Sequence, residues 1–184
     1  MSTTPDRNLS EETCDLAPVT IRRASIEDLH EIAIIWREGQ VAQGIDPPDL
    51  DIALNAFRAR LESQARDYGV WVAEIEGVLV GWQSLQPCRT SPLYNWAESS
   101  TYISTGSRGR GVGRKLLVFA TEHAKSVNLS HVVGVIIKGN EAPIKIVESL
   151  GWQKVGSIPR SNPTDIEWLY YVYAVPSELA AHGG

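Results

Sequence analysis

One stretch, Glu98 to Val127, constrains this chain more than any other. It opens with a short β-branched and aromatic segment, Glu98 to Ser104, of the kind that forms strands. It closes with Val112, Leu116, Phe119, Ala120, Ala124 and Val127 at helical spacing on one face. Between them, Thr105 to Gly113 holds glycines at 106, 109, 111 and 113 and arginines at 108 and 110. Glycine lets a backbone turn tightly and bring its N–H groups against a ligand. Here those groups fall at the start of a helix, where unsatisfied donors and the dipole favour an anion. Strand, glycine loop and helix together predict a cradle for a pyrophosphate.

The loop narrows the choice of ligand. Arg114-Lys115-Leu116 stands where a P-loop needs Gly-Lys-Ser/Thr. No window from Gly106 to Gly113 supplies the Gly-x-Gly-x-x-Gly of dinucleotide sites. Arg-x-x-Gly-x-Gly does fit, through Arg108, Gly111 and Gly113. With a strand before it and an amphipathic helix behind it, this hexamer resembles the coenzyme A loop of the GNAT superfamily of acetyl-CoA-dependent N-acyltransferases. The bland reading is a glycine-rich connector with solvated arginines.

Composition sets the frame for that resemblance. A chain of 184 residues, 43% hydrophobic and 21% charged, suits one globular domain with a sizeable core. A net charge of -5 argues against a general nucleic-acid binder despite the local basic patch from Arg108 to Lys115. Cys14 and Cys88 make no disulfide framework, and no His/Cys cluster has metal spacing, so no metal is expected. No apolar run reaches membrane-spanning length, which makes cytoplasm the expected address.

In chain order, residues 1–17 read as a disordered tail, 18–176 as one domain and 177–184 as a C-terminal tail. Val19 to Arg23 predicts a strand, and Ser25 with Asp28 a helix start. Leu29, Ile32, Ala33 and Trp36 share a helix face, followed by a loop from Gly39 to Pro48. Asp49 is expected to cap a second helix bearing Leu50, Leu54, Phe57 and Leu61. Val70 to Ile75 and Val78 to Gln83 flank Glu76-Gly77 as a two-residue hairpin, with a loop from Gln86 to Asn95 beyond. His131 to Ile137 suits a buried strand, and Asn140 to Leu150 a helix with Pro143 in its first turn, stopped at Gly151. Trp152 to Ile158 and Ile166 to Val175 read as antiparallel strands. The expectation is α/β: a single mixed, largely antiparallel twisted sheet with helices on both faces.

The motifs Val70-Trp-Val-Ala-Glu-Ile-Glu-Gly77, Tyr94 to Ser99, Thr101-Tyr-Ile103 and Leu150-Gly-Trp152 look like the phosphinothricin acetyltransferase branch. This resemblance implies a sheet split between its fourth and fifth strands, with acetyl-CoA as cosubstrate in the gap. Thr101, Tyr102 and Ile103 would contact the pantetheine and acetyl group. Arg108, Gly109, Arg110, Gly111, Val112 and Gly113 would hold the pyrophosphate, and Asn140 a pantetheine amide. A helix cap is the plainer role for Asn140, and both roles can hold together. Glu98 stands at the family's base position, its plainer reading being a solvated strand-edge glutamate. Arg89 and Tyr94 are the substrate-binding candidates. The chain also departs from the pattern: Val147 stands where relatives carry histidine or tyrosine, so the familiar general acid is missing. A water or a tyrosine of Tyr170-Tyr171 is then the expected proton source.

Three functions fit these residues: acetyl transfer to a small primary amine, an amino-acid-like compound being one candidate; acyl-CoA binding without turnover; and phosphate or nucleic-acid binding through the Arg/Gly loop. The acidic balance and the lack of interleaved aromatics count against the third. Relatives of this branch are commonly dimers. The run Trp168-Leu-Tyr-Tyr-Val-Tyr173, without evident alternation, predicts a homodimer with this strand at or near the interface.

Overall fold

A computed structural model describes residues 17–88, 95–159 and 165–176. The expected tails fall outside these residues, apart from Ala17, and so do Arg89 and Tyr94. Seven strands form one sheet in the order β1-β2-β3-β4-β5-β7-β6. They span Val19–Arg23, Gly69–Ile75, Val78–Pro87, Trp96–Ile103, His131–Ile137, Gln153–Ile158 and Trp168–Ala174 for β1 to β7. Only β4 and β5 run parallel; the other five pairings are antiparallel. Among the described residues the α-helices are α1 (Leu29–Ala42), α2 (Leu50–Glu62), α3 (Val112–Ser126) and α4 (Glu141–Ser149).

Alternation along the strands sends side chains to the two faces of the sheet. Val70, Val72 and Trp82 face α1 and α2, burying Ile32, Ile35, Phe57 and Leu61. Trp71, Leu85 and Ala97 face the other way and pack with Leu117, Ala120 and Ala124 of α3. Each of the larger aliphatic or phenyl side chains among them, fully buried, contributes about 1.5–3 kcal/mol. The Trp82 indole N–H donates to the Ile32 carbonyl at 3.1 Å, which pins α1 to the sheet.

Local signals formed as the sequence predicts. Ser25 accepts from the Glu27 N–H, and Asp28 accepts from the Ser25 N–H at 2.8 Å, closing a capping box on a short 3-10 turn. Glu76 and Gly77 have φ of 51° and 77°, the doubly left-handed pair that a tight hairpin needs.

Four boundaries or pairings differ from the sequence reading. The α1 helix runs through Gly39 to Ala42, because the Tyr102 ring packs where a side chain would be: a Cβ on Gly39 would lie 2.5 Å from Tyr102 Cδ1. The β3 strand continues to Pro87, held by pairing with β4 as far as Pro87↔Ala97. Asp49 precedes α2 without a side-chain cap bond. The aromatic run of β7 is no sheet edge, since it lies between β5 and β6 and does alternate. Leu169 and Tyr171 are buried, while Trp168 and Tyr170 are half-buried. Among the described residues no helix is long and apolar enough to cross a membrane.

Candidate active site

The site begins where β4 loses a neighbour. Pairing between β4 and β5 runs from Trp96↔His131 to Ser99↔Gly134 and stops there. On its other side β4 stays paired with β3 as far as Gly81↔Ile103. Two bonds fix the phase of that ladder: Ser104 N–H to the Val80 carbonyl at 2.9 Å, and Cys88 N–H to the Trp96 carbonyl at 3.1 Å. In an antiparallel pair, hydrogen-bonded and non-bonded positions alternate. Even-numbered residues of β4 therefore bond β3, and the N–H and C=O groups of Thr101 and Ile103 face the split. The backbone of Tyr102 is used by Trp82, so this residue meets the site through its side chain.

A cavity of about 760 Å³ occupies the split. Thr101, Tyr102 and Ile103 line one wall, and Ile137, Lys138, Gly139 and Asn140 at the end of β5 line the opposite one. The glycine loop closes a third side through Arg108, Gly109, Gly111, Val112 and Gly113. Gly109 and Gly111 have φ of 76° and 78°, left-handed values that disfavour any side chain, and space over both is open to beyond 4 Å. Crowding is therefore not what requires glycine at 111; backbone conformation is.

Gly111 is also the residue before α3, which has no side-chain cap. The first helical bond is Lys115 N–H to the Gly111 carbonyl at 3.1 Å. The N–H groups of Val112, Gly113 and Arg114 precede it and are left for an anion. Arg108, Arg114 and Lys138 add positive charge to the lining of an otherwise acidic protein. Arg114 is steadied by donating to Ser149 Oγ at 2.7 Å, and Lys138 by donating to Glu167 at 2.8 Å. Left-handed glycines, uncapped N–H groups and these cations suit a diphosphate.

Asn140 precedes α4 and makes no side-chain cap bond, so its amide is not consumed by the helix. Tyr102 stacks on Trp82 with centroids 4.9 Å apart, and its hydroxyl accepts from Gln40 Nε2 at 3.0 Å. Burial pushes that hydroxyl's pKa above the usual phenol value.

Several candidates lie elsewhere. Arg110 does not line the cavity. Glu98 is exposed on β4 opposite Gln86 and Val133, and does not line it either. Ser99 and Ser100 separate it from Thr101, about 10 Å of strand. Val147 is a correction to the expectation of a residue in the pocket: it is 4% exposed and packs in the core with Leu117 and Trp152. Tyr171 is likewise no free acid. Its hydroxyl donates to Glu148 at 2.9 Å, and burial, followed by that bond, raises its pKa.

Sequence reasoning missed the contribution of α1, whose Gly39 and Ala42, with Gln43 just beyond its end, line the cavity. It also missed Arg114, Lys138 and the α4 residues Ala142, Pro143 and Ile146. The available signal was Gly39, a glycine inside an apolar-periodic run, where a close neighbour is the usual reason.

A parallel β4/β5 pair that opens toward a glycine-loop helix start defines an acyl-carrier site of the N-acyltransferase type. The chain belongs to the GNAT acetyltransferases: the acetyltransferase (GNAT) domain model matches residues 19–153. It is similar to an L-methionine sulfoximine/L-methionine sulfone acetyltransferase of Salmonella typhimurium, 30% identical over 138 residues that cover 74% of this chain and 75% of the relative. A phosphinothricin N-acetyltransferase of Streptomyces viridochromogenes is 29% identical over 99 residues, 53% of this chain and 54% of that protein. A Salmonella typhimurium protein solved with acetyl-CoA superposes with a TM-score of 0.72 at 25% identity, over 87% of this chain and 95% of that one.

Proposed function

We propose that this acetyltransferase moves the acetyl group of acetyl-CoA directly onto the primary amine of a small, amino-acid-like molecule. The observation that carries the reading is the split beside β4, where the N–H groups of Thr101 and Ile103 turn toward a cavity that ends on an uncapped helix. The names of the similar proteins, methionine sulfoximine and phosphinothricin acetyltransferases, support an amino-acid-like acceptor.

Acetyl-CoA, when bound, supplies the electrophilic acyl group. The Gly109–Gly113 loop and Arg108 hold its diphosphate, the free groups of Thr101 and Ile103 align the pantetheine arm, and Asn140 bonds one of its amides. Arg110, at the loop's edge, adds long-range attraction. The Ile103 N–H is fixed by the strand before any ligand arrives, and a preorganised donor of this kind stabilises charge on an acyl oxygen. An amine attacks only when neutral, yet its free pKa is ~8 or above. Glu98 takes the proton through water, since its carboxylate stands back from the cavity. Arg89 and Tyr94 are the proposed acceptor contacts. Solvent reprotonates the departing thiolate, because Val147 has no acidic proton to give and the Tyr171 hydroxyl is engaged by Glu148. A cytoplasmic homodimer belongs to the same reading, with the half-exposed outer face of β7 at the contact.

A second reading, acyl-CoA binding with weak or no turnover, is favoured by one observation: among the described residues no carboxylate lines the cavity. Release of CoA over a panel of amino-acid-like amines separates the two. CoA release no faster than the blank with every amine, from protein that binds acetyl-CoA, would favour the second.

A further inference from the structure

Gln83 is fully buried in the middle of β3, a polar side chain with Leu85 on the same face of its strand. Its amide makes three contacts. Nε2 donates to the Ser84 carbonyl at 3.0 Å and to Ser99 Oγ at 2.8 Å, and the Thr101 hydroxyl donates to Oε1. Chemistry fixes the orientation of that amide. A backbone carbonyl can only accept, so the NH₂ end must face Ser84 and the oxygen must face Thr101. A threonine hydroxyl has one proton, and here it is committed to Gln83. What Thr101 keeps is lone pairs.

The place of this network in the fold gives it meaning. Ser99 is the last β4 residue paired with β5, and Thr101 is the first β4 residue to line the cavity. Gln83 ties the one to the other. A buried polar network this fully bonded is stiff, and a stiff strand end is what a register-sensitive ligand needs.

We propose that Gln83 is a positioning residue that holds the Thr101 hydroxyl as a pure hydrogen-bond acceptor for an amide N–H of the pantetheine arm of acetyl-CoA. The inference rests on the acetyl-CoA reading above. Secondary amides along that arm alternate N–H donors with carbonyl acceptors. The free strand N–H groups of β4 meet the carbonyls, and Thr101 meets an N–H. A freely rotating hydroxyl would serve either group. A locked one rejects a carbonyl, because two acceptors then face each other unpaired. Gln83 therefore sets the register of the arm along β4, and with it the position of the reacting carbonyl.

Calorimetric titration of the full chain with acetyl-CoA tests this. Thr101→Val should weaken binding about three- to tenfold, the worth of one neutral hydrogen bond, while Thr101→Ser should stay within about twofold of wild type because the hydroxyl remains. Gln83→Leu should weaken binding about two- to fivefold, less than Thr101→Val because the freed hydroxyl can still accept an N–H, and the double variant Gln83→Leu/Thr101→Val should bind no more weakly than Thr101→Val alone, since one acts through the other. A role in stability alone would instead lower the melting temperature of Gln83→Leu and leave its affinity unchanged, which overturns the proposal. Where Gln83→Leu does not fold, the Thr101 pair decides: equal affinities for Val and wild type overturn it. Wild-type protein that gives no heat with acetyl-CoA overturns the cosubstrate reading and this inference with it. Binding by wild type with Thr101→Val unchanged overturns this inference alone.

Discussion

The two halves of β4 make different use of the same kind of backbone. Trp96 to Ser99 is hydrogen-bonded on both sides, to β3 and to β5. Ser100 to Ile103 is bonded to β3 only. In the first half every N–H and C=O serves the fold; in the second, alternate groups are held in place without a strand partner. A rigid strand can leave groups open on one side only if something else fixes it. Here Tyr102 packs on Gly39 and Trp82, and Gln83 grips Thr101 from the opposite face. The lesson is that a binding strand is made by withholding a neighbour, not by adding special residues.

The largest expected effect tests the open half at its far end. Gly111→Val forces a β-branched residue to a φ of 78° and sets its side chain in the space over the loop. Binding of acetyl-CoA should be lost, while the strain of about 1–3 kcal/mol leaves the protein folded. Titration calorimetry beside circular dichroism checks both, and unchanged affinity in a folded variant would sink the cradle.

Next comes Glu98, which stands in the fully paired half and so cuts across the comparison. If it is the base, Glu98→Gln should slow turnover by ~10²-fold or more with acetyl-CoA affinity unchanged. Steady-state rates on an accepted amine decide this; a normal kcat would confine function to the open half.

Smaller effects concern what braces the site. Val147→Tyr restores a hydroxyl by sequence analogy, but the structure makes it a core overpacking. We expect a loss of about 3 kcal/mol of stability and no gain in kcat, read by denaturant melts and kinetics. A faster enzyme would return residue 147 to the cavity. Gly39→Ala should cost least, about 1–2 kcal/mol, because the clash with the Tyr102 ring is partly offset by alanine's better helix propensity of about 1 kcal/mol. A KM for acetyl-CoA that rises along with this loss would show that the Tyr102 contact braces the open half; an unchanged KM would leave the bracing to Gln83.

How much of this was legible in the sequence follows from range. The hairpin at Glu76-Gly77, the capping box at Ser25 and Asp28, and the face of α3 are written within a few residues, and they formed where the pattern put them. The glycine loop was legible too, because a positive φ leaves a direct mark on residue type. The family resemblance implied a split between the fourth and fifth strands, and it is there, but the point where β4 and β5 part is decided by strands far apart in sequence, and nothing in Ser99 or Gly134 announces that point. The same holds for α4. Ile144, Ile146, Val147 and Leu150 are all apolar, so hydrophobicity could not say that Ile146 meets the cavity while Val147 enters the core. Glu98 shows the limit from the other side, since a motif position names a residue type but not its distance from the reacting atoms.

The sheet order has a consequence for how the molecule comes into being. Strands β1 and β2 through β4 pair with sequence neighbours or near neighbours, so that half can assemble as the chain emerges. Among the described residues the β6 strand pairs with β7 alone, and β5 has an open side until β7 arrives. On the ribosome, then, the wall of the cavity formed by Ile137 to Asn140 stays without its flanking support until the seventh strand has been made. A nascent chain arrested before Trp168 would own the glycine loop and a sheet that ends at β5, yet lack a settled pocket to close around a ligand.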